Sequence, residues 1–260
     1  MSKTCDITHP LKIFKFDAIA LIESPYQEKF AIPRQPNLVS AAKGRVVLIG
    51  DANNSELVRD IEQFSHLWLL FVFHGTQAQG WKPLVRPPRL GGNVKTGVLA
   101  TRSTFRPNPI GMSVVKLDKV TTINKQTILH ISGLDLLHGT PIVDIKPYVP
   151  YSDAIIDANA GFAQQQPEAG LSVVFSEQAQ ADLTQYQVIA KTPPEAKAEN
   201  QYGELALLIE QVLRQDPRPA YKQGKADDKV YGMSLYDLNI QWQLTALDSV
   251  LVLNITQSSK

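Results

Sequence analysis

Short apolar runs rich in β-branched residues dominate the first 150 residues of the chain, and they predict strands. Each run is bounded by Gly, Pro, Asn or Asp, which are the residues that commonly end strands. Long helical patterns are rare in this part of the sequence. We predict strands at residues 12–22, 45–49, 97–101, 112–117, 127–131 and 141–145.

Residues 55–64 (SELVRDIEQF) form the one segment of this part that has clear helical spacing. Leu57, Ile61 and Phe64 would share one face of a helix, and Ser55 stands where an N-cap is expected. The continuous apolar run that follows, SHLWLLFVFHG, predicts a strand buried on both faces. Many short strands with one or two helices favour a closed or nearly closed β-barrel, and the lack of strand–helix alternation argues against a Rossmann domain.

The pattern changes after residue 152. Residues 153–170 are rich in Ala, Gln, Gly and Pro and predict a linker. A small α+β domain is predicted over residues 171–260, so the expected architecture is mainly β, with an N-terminal barrel over residues 1–152. The elements predicted for the second domain are a strand at 172–176, helices at 177–189 and 204–214, and strands at 230–236, 238–244 and 249–255.

Composition excludes several classes of protein. Hydrophobic residues make up 43% and charged residues 20% of the 260 positions, as in ordinary folded proteins. The single Cys5 excludes an internal disulfide and a CxxC zinc or redox site, and the His residues lack a metal-binding spacing such as HExxH. The N-terminus has no apolar signal core, and the longest apolar run, Leu67–Phe73, is far shorter than a membrane helix. We therefore predict a cytoplasmic protein with no membrane and no metal partner.

The net charge of +1 conceals two unlike parts. Residues 1–150 hold 18 basic and 11 acidic residues, whereas residues 151–260 hold 8 basic and 14 acidic residues. Residues 63–117 contain no Asp or Glu, and their loop-like stretch 82–109 combines Arg and Lys with Gly and Pro. Such a segment is suited to gripping phosphates, which predicts a polyanionic partner; a merely solvated basic loop is the alternative.

Two pairs of titratable residues and one loop each leave two interpretations open. His66 and His74 flank the predicted buried strand, where a histidine is more often a core residue than a ligand or a base. Asp135 and Asp144 stand at strand–turn junctions among apolar neighbours. They are either a turn cap and an Arg-paired carboxylate, or functional groups. The DPRPAY segment (216–221) is either a ligand-facing loop or a rigid connector.

Several motifs together identify a known family. SPYQEKFAIPRQP, FSHLWLLFVFHG, RPPRLGG, GVLATRSTFRPNPIGMS, LDLLHGTP and VDIKPYVPY follow one another in this order. With the later DPRPAY, they closely resemble the TsaA-like (YaeB-like) family of tRNA threonylcarbamoyladenosine-37 N6-methyltransferases. The resemblance is dense over residues 12–151 and sparser over 216–242. GxGxxG, P-loop and GxSxG signatures are missing, so a nucleotide-like cofactor would bind in another way.

The resemblance implies a β-barrel methyltransferase that works as a homodimer, uses S-adenosylmethionine near the subunit interface, and methylates N6 of threonylcarbamoyladenosine 37 in threonine tRNA. Its implied partner is therefore the tRNA anticodon loop. The cofactor contacts that it implies are Pro33, Arg34 and Gln35 of PRQ, Ser65 and His66 of FSHLW, Arg102 of ATRST, and Asp135, Leu136, Leu137 and His138 of LDLLHG.

Chemistry adds candidate roles to these positions. Arg34 or Arg102 suits the carboxylate of the cofactor, and Asp135 suits its cationic sulfonium. Asn108, Asp144 and Tyr148 are candidates for contacting N6, with no base singled out among them. The candidate tRNA contacts are Arg86, Arg89, Lys95, Arg106, Lys146 and Arg218. Two alternatives stay open: a non-catalytic RNA-binding barrel, and a methyltransferase that acts on another substrate.

Overall fold

Six strands of the first part of the chain form a closed antiparallel barrel. The computed structural model describes residues 14–166, 170–191, 202–219, 222–225 and 227–258. Around the barrel the strands follow the order β1-β2-β7-β6-β3-β8, and β8 pairs with β1 to close the ring. The barrel strands are β1 (Ala20–Glu23), β2 (Lys43–Leu48), β3 (His66–Val72), β6 (Ile110–Ile123), β7 (Gln126–Ser132) and β8 (Pro141–Pro147).

A long connection between β3 and β6 carries its own small ladder. Within it, β4 (Leu84–Val85) pairs antiparallel with β5 (Thr96–Gly97). The helix α1 (Pro150–Asp153) follows the barrel. Short 3-10 helices lie at Lys29–Ala31, Gly50–Ala52, Ser55–Val58, Ile61–Gln63, His74–Gln79, Pro88–Leu90, Val98–Ala100 and Gly161–Ala163.

The prediction of a barrel is confirmed, but three local predictions are wrong: one helix, its N-cap and one strand. Residues 55–64 form two 3-10 turns instead of one helix, because Asp60 between them adopts a left-handed conformation with φ of 64°. The N-cap is Asn54, whose side chain accepts from the backbone N–H of Glu56, and not Ser55. Of the strand predicted at 97–101, only Gly97 lies in a strand, β5; Val98–Ala100 form a 3-10 turn, and the Thr101 hydroxyl closes it by donating to the carbonyl of Val98 at 2.8 Å.

The predicted first strand is much shorter in the structure. Strand β1 covers only residues 20–23 of the predicted 12–22; residues 14–19 have no regular structure, and residues 12 and 13 lie outside the described chain. The strands predicted at 45–49, 112–117, 127–131 and 141–145 are present as β2, β6, β7 and β8.

The barrel interior is apolar and closely packed. Leu67, Leu69 and Phe71 of β3 alternate with half-buried neighbours, so this strand is fully buried on one face and only partly covered on the other. The prediction of burial on both faces was therefore wrong for the outer face. Each fully buried side chain of this size stabilises the fold by about 2 kcal/mol. Other inward apolar side chains include Ile22, Val46, Leu48, Val115, Leu117, Leu129, Ile131 and Ile142.

The second part of the chain forms a four-stranded sheet with two helices. The sheet order is β10-β11-β12-β9, with β9 parallel to β12 and the other pairs antiparallel. The apolar stripe of α3 is buried as predicted, through Leu205, Leu208, Ile209, Val212 and Leu213. The elements are β9 (Ser172–Phe175), α2 (Glu177–Lys191), α3 (Leu205–Arg214), β10 (Tyr231–Leu235), β11 (Leu238–Ala246) and β12 (Ser249–Gln257).

The β1–β2 connection joins the two parts. Tyr26, fully buried, forms an isolated bridge with Leu235 of β10, and the backbone N–H of Tyr236 donates to the carbonyl of Pro25 at 2.7 Å. A salt bridge of 2.8 Å between Lys43 and Glu204 crosses the same boundary. Buried residues of both parts form one continuous apolar cluster, so the second domain is packed against one end of the barrel.

The described residues contain neither a helix suited to span a membrane nor a cluster of metal-binding side chains. None of their helices has the length and apolar character that crossing a membrane requires. Their His, Cys, Asp and Glu side chains form no group of three or more that is arranged to hold a metal ion.

Candidate functional site at the barrel mouth

Three connections that carry the sequence motifs leave the barrel at the same end. At this end β1, β3 and β7 finish and β2, β6 and β8 begin, as the pairs Val72 with Ile110 and Lys43 with Ser132 show. The connections are residues 24–42, 73–109 and 133–140. Because the strands are antiparallel, segments that are far apart in sequence meet here. We call this end the mouth of the barrel.

Four side chains from these segments and from β6 form a polar cluster at the mouth. The hydroxyl of Ser113, on β6, donates to Oδ1 of Asp135 at 2.5 Å. Arg102 interacts electrostatically with Asp135, and its Nη1 donates to Oε1 of Gln35 at 2.6 Å. We name Gln35, Arg102, Ser113 and Asp135 the mouth cluster. Three of its four members were predicted as cofactor contacts, and the structure brings them together.

The carboxyl group of Asp135 is only partly ionised near pH 6. Burial raises its pKa from the ordinary value to about 6, against the opposing effects of the Ser113 hydrogen bond, a backbone N–H and the charge of Arg102. Asp135 is therefore mostly a carboxylate at neutral pH and becomes neutral in mild acid. A half-buried carboxylate beside an exposed guanidinium presents both charges to a ligand.

The PRQ segment divides between the mouth and the second domain. Pro33 is buried, and Gln35 joins the mouth cluster through Arg102. The exposed side chain of Arg34 instead donates to Oε1 of Gln223 at 3.2 Å. Gln223 in turn donates to the carbonyl of Asp216 at 2.7 Å, which ties it to the DPRPAY segment. Arg34 is thus held toward the second domain.

The Asp135–His138 segment also points in two directions. Leu136 is buried and Leu137 is half-buried, so their side chains serve packing. His138 is exposed, and its Nδ1 accepts from the backbone N–H of Ser24 at 3.4 Å. His138 lines a cleft of about 1450 Å³ between the two domains, while the side chain of Asp135 reaches the barrel interior. This turn therefore separates the mouth from the cleft.

The cleft between the domains is balanced in charge. Its basic side chains include Lys43 and Arg45, which pair with Glu204 and Glu23 respectively. It therefore lacks the excess of positive charge that a phosphate chain requires.

A second group of predicted residues lies on the outer face of the barrel. His66 pairs across the sheet with Lys116, and Trp68 pairs with Lys146, so these side chains point outward. Tyr148 packs on both rings, with centroid distances of 6.3 Å to His66 and 5.7 Å to Trp68. The outer-face cluster consists of Ser65, His66, Trp68, Asp144, Lys146 and Tyr148.

The two clusters face different spaces within one chain. Ser113 stands opposite Leu69 and points inward, whereas His66 stands opposite Lys116, three residues further along β6. Three residues of strand span about 10 Å. The predicted contacts Ser65 and His66 are therefore separated from Arg102 and Asp135 by the wall of the barrel.

The carboxylate of Asp144 forms an ion pair with a lysine. One of the two interpretations from the sequence had paired it with an arginine. Lys146 Nζ lies 2.8 Å from Asp144 Oδ2, and both side chains are more than 40% exposed. Such an exposed pair contributes little to stability. The third catalytic candidate, Asn108, is exposed at the mouth, just before β6 begins.

Some basic residues of the acid-free segment are exposed, and others hydrogen-bond to backbone carbonyls. Arg86 and Lys95 are exposed, as expected for residues that contact phosphates. Arg89 donates to the carbonyl of Gln165 at 2.7 Å, and Arg106 donates to the carbonyl of Thr101 at 2.6 Å. These two arginines therefore brace the loop that presents the others.

Arg218 is buried within the second domain and is not exposed to a tRNA. Its side chain is 0% exposed and binds both oxygens of Asp216, with Nε–Oδ1 of 2.8 Å and Nη2–Oδ2 of 2.7 Å. Nη1 donates to the carbonyl of Lys225 at 3.0 Å. A guanidinium in this position cannot reach a phosphate, so we leave Arg218 out of the proposed tRNA surface. The described part of DPRPAY, residues 216–219, is a rigid connector; Tyr221 lies outside the described residues.

Sequence reasoning missed three residues that the structure places in or beside these clusters. Ser113 and Trp68 each occupy a strand position whose cross-strand neighbours only the register reveals. Gln223 reaches Arg34 from a distant part of the chain. The polar Ser113 at an inward position of an apolar strand was the one signal that could have been read from the sequence.

Comparison with known proteins supports the resemblance seen in the sequence. The profile of the tRNA-methyltransferase O N-terminal domain matches residues 21–154, and that of the TrmO C-terminal domain matches residues 168–258. The tRNA (adenine(37)-N6)-methyltransferase of Escherichia coli (strain K12) is 49% identical over 232 residues, which cover 89% of this chain and 94% of that protein.

Two further similar proteins are a relative whose name includes a cofactor and a solved structure. A putative S-adenosylmethionine-dependent methyltransferase, RcsF, of Pseudomonas aeruginosa is 44% identical over 237 residues, covering 91% of this chain and 95% of that protein. A crystal structure of TrmO from Pseudomonas aeruginosa superposes with a TM-score of 0.75 at 39% identity, covering 95% of this chain and 100% of that one.

Proposed function

This chain belongs to the tRNA-methyltransferase O family, and we propose that it methylates N6 of adenosine 37 in tRNA with S-adenosylmethionine as the methyl donor. We further propose that the adenosine carries a threonylcarbamoyl group and belongs to threonine tRNA. The observation that carries the proposal is the mouth cluster, in which three separate segments bring a guanidinium and a carboxylate together. A tRNA substrate implies that the protein works in the cytoplasm.

The residues of the mouth fit the proposed cofactor. The amino-acid part of S-adenosylmethionine carries a carboxylate, an ammonium and a sulfonium, so it needs both an anion-binding and a cation-binding group. Arg102 offers a planar donor for the carboxylate, and Asp135 offers oxygens for the cationic groups. When it is bound, the cofactor supplies the methyl group as an electrophilic carbon. Pro33, Gln35 and the 135–138 turn would hold it at the mouth.

The chain must then align N6 with that carbon and accept a proton. N6 is a weak nucleophile, because its lone pair is delocalised into the ring and the carbamoyl group. Positioning alone can therefore lower the barrier by several kcal/mol. The exposed Asn108 offers an amide oxygen at the mouth, and Asp144 and Tyr148 offer acceptors on the outer face. We propose these three residues as the groups that contact N6.

A homodimer would bring the two clusters together. The β3–β6 connection and the first residues of β6 expose large apolar side chains, of which Leu99 is 75% and Met112 is 51% exposed. We propose that a second copy of the chain covers this surface and places its outer-face cluster near the mouth. The exposed apolar side chains are Trp81, Leu84, Val94, Leu99, Ile110 and Met112.

Sedimentation velocity at micromolar concentration tests this assembly. We expect the wild-type chain to sediment as a dimer, and the double variant Leu99→Asp/Met112→Asp to shift to the monomer because it places charges in an apolar contact. Leu57→Asp, at another exposed apolar side chain on the barrel, should leave the dimer intact. If the wild-type protein sediments as a monomer, the proposed homodimer is wrong.

The proposed tRNA surface is the acid-free segment. Arg86 and Lys95 are exposed there, Arg89 and Arg106 brace the loop, and Lys146 lies on the outer face. Contacts of Lys and Arg with phosphates supply most of the affinity for a nucleic acid without reading its sequence. The neutral cleft and the acidic second domain are less suited to this role.

Nucleoside mass spectrometry tests the reaction and the catalytic candidates together. An Escherichia coli strain that lacks its own enzyme should regain N6-methylated threonylcarbamoyladenosine when it expresses this chain. With the purified protein, Asn108→Ala and Asp144→Asn should each lower turnover about 100-fold, because each removes a group proposed to hold N6 in line with the methyl carbon, and Asp144→Asn also removes a candidate proton acceptor. Cofactor affinity, measured separately by calorimetry, should change less than twofold in both variants.

The control for this experiment is Asn254→Ala, an asparagine of the second domain whose amide donates to Gln241, which should retain full turnover. If the strain gains a different methylated nucleoside, the enzyme acts on another substrate. If Asn108→Ala and Asp144→Asn both keep wild-type turnover, these residues do not contact the reacting atoms.

A further inference from the structure

Ser113 is the only polar residue among the inward side chains of the first half of β6. Gly111, Val115 and Leu117 share its face, and all three are buried against apolar neighbours. Ser113 itself is 1% exposed. Burying a hydroxyl lowers the stability of the fold unless the hydroxyl has a hydrogen-bond partner. Its partner is Oδ1 of Asp135, at 2.5 Å, so this hydroxyl serves one acceptor on a different connection.

Among the side chains around Asp135, Ser113 is the hydrogen-bond donor, and one backbone N–H donates beside it. Arg102 approaches from the β3–β6 connection and acts on Asp135 through its charge. Tyr26 approaches from the β1–β2 connection, and burial raises the pKa of its phenol well above the ordinary value, so it stays neutral. Ser113 lies on the barrel strand β6 and pairs with Leu69 of β3, while the pairing of β6 with β7 begins only at Lys116. It therefore anchors a side chain of the β7–β8 connection to a strand of the barrel.

We propose that Ser113 is a positioning residue that fixes the side chain of Asp135 from inside the barrel and presents its carboxylate beside Arg102 to the cationic part of S-adenosylmethionine. This inference rests on the proposed function. It adds a residue that does not contact the cofactor but controls the ionisation and the direction of one that does. Without the hydroxyl, the half-buried carboxyl loses its donor and takes up a proton more readily.

The test is the pH dependence of S-adenosylmethionine affinity, measured by titration calorimetry from pH 5 to pH 8.5. Because protonation removes the negative charge of Asp135, wild-type affinity should fall as the pH is lowered through about 6. Ser113 lowers the pKa of Asp135, so Ser113→Ala should move the midpoint of this fall upward by about one pH unit. The shift by itself should lower affinity about fivefold at pH 6 and close to tenfold at pH 5, and leave it almost unchanged at pH 8.5.

Two further variants make the result specific. Ser132→Ala is the matched control, because this serine is also nearly buried and donates to a different aspartate, Asp118 at 3.1 Å, which lines the cleft between the domains and is not part of the mouth cluster. It should leave the wild-type profile unchanged. Ser113→Thr keeps the hydroxyl and should restore the midpoint to the wild-type value. Thermal unfolding without cofactor confirms that each variant is folded; if Ser113→Ala does not fold, Ser113→Cys, a weaker donor, should show the same upward shift.

The possible outcomes separate this inference from the proposed function. If the wild-type chain fails to bind S-adenosylmethionine at any pH, the proposed function fails first. If the wild type binds and Ser113→Ala has an unshifted midpoint, or loses affinity equally at every pH, Ser113 has only a packing role and the inference is overturned.

Discussion

Replacing Arg102 with alanine is expected to weaken S-adenosylmethionine binding by 30-fold to 100-fold without unfolding the protein. The guanidinium is exposed and hydrogen-bonds only the side chain of Gln35 among the contacts described above, so its loss leaves no buried group unsatisfied. A charge-assisted pair with a carboxylate contributes about 2–3 kcal/mol, which corresponds to the expected loss. Titration calorimetry at pH 8 measures the effect directly, at a pH where Asp135 is ionised.

The loss should also depend on pH. Arg102 lowers the pKa of Asp135, so its removal makes that carboxyl easier to protonate. The defect of Arg102→Ala should therefore grow as the pH is lowered from 8 to 6.5. Arg59→Ala is the control, because Arg59 pairs with Glu56 on an exposed surface remote from the mouth. Wild-type affinity in Arg102→Ala would contradict the assignment of the site, and a wild-type chain that binds RNA but no S-adenosylmethionine would be a non-catalytic RNA-binding barrel.

Replacing Arg218 with alanine is expected to lower the free energy of unfolding by about 3–5 kcal/mol. The substitution removes a fully buried partner and leaves the mostly buried Asp216 carboxylate without its two donors. Breaking a buried ion pair by removing one member has a cost in this range, since the remaining charge stays away from water. Urea unfolding, monitored by tryptophan fluorescence, measures it. Arg214→Ala is the matched control: its pair with Glu210 is 3.6 Å long and largely exposed, so the change should stay below about 0.5 kcal/mol.

Comparing Arg218→Ala with Arg86→Ala separates an arginine that stabilises the fold from one that binds tRNA. Arg86→Ala, at an exposed position, should keep wild-type stability but bind tRNA more weakly, with the logarithmic salt slope reduced by about 1. Arg218→Ala, measured under conditions where it is folded, should bind tRNA like the wild type. The opposite pattern, a stable Arg218→Ala with reduced tRNA affinity, would return Arg218 to the tRNA surface.

The strands could be predicted from the sequence, whereas short turns could not. Alternating β-branched residues identify β2, β6, β7 and β8, because a half-buried strand requires that pattern. The segment 55–64 has helical spacing too, but a single left-handed residue, Asp60, breaks it into two turns. The spacing of apolar residues shows which side chains would share a face if a helix formed. It does not show that the backbone at Asp60 is left-handed.

The candidate site could be predicted only as a set of residues. The motifs identify Gln35, Arg102 and Asp135, but neither spacing nor charge shows that they meet at one end of a barrel. Strand register decides this, and it also places His66 outside while Ser113 points inside. Register depends on pairings between residues far apart in sequence, which a single sequence does not display. The partner of Asp135 was missed for the same reason.

The way the barrel closes also determines when the chain can fold during synthesis. Strand β8 is the one that joins β1 to β3, so until residue 147 has left the ribosome both of these strands have an open edge. The nascent barrel therefore exposes unpaired backbone and apolar side chains over most of its length, a state prone to pairing with other chains. The second domain, whose strands begin at Ser172, emerges only afterwards and packs on a barrel that is already complete.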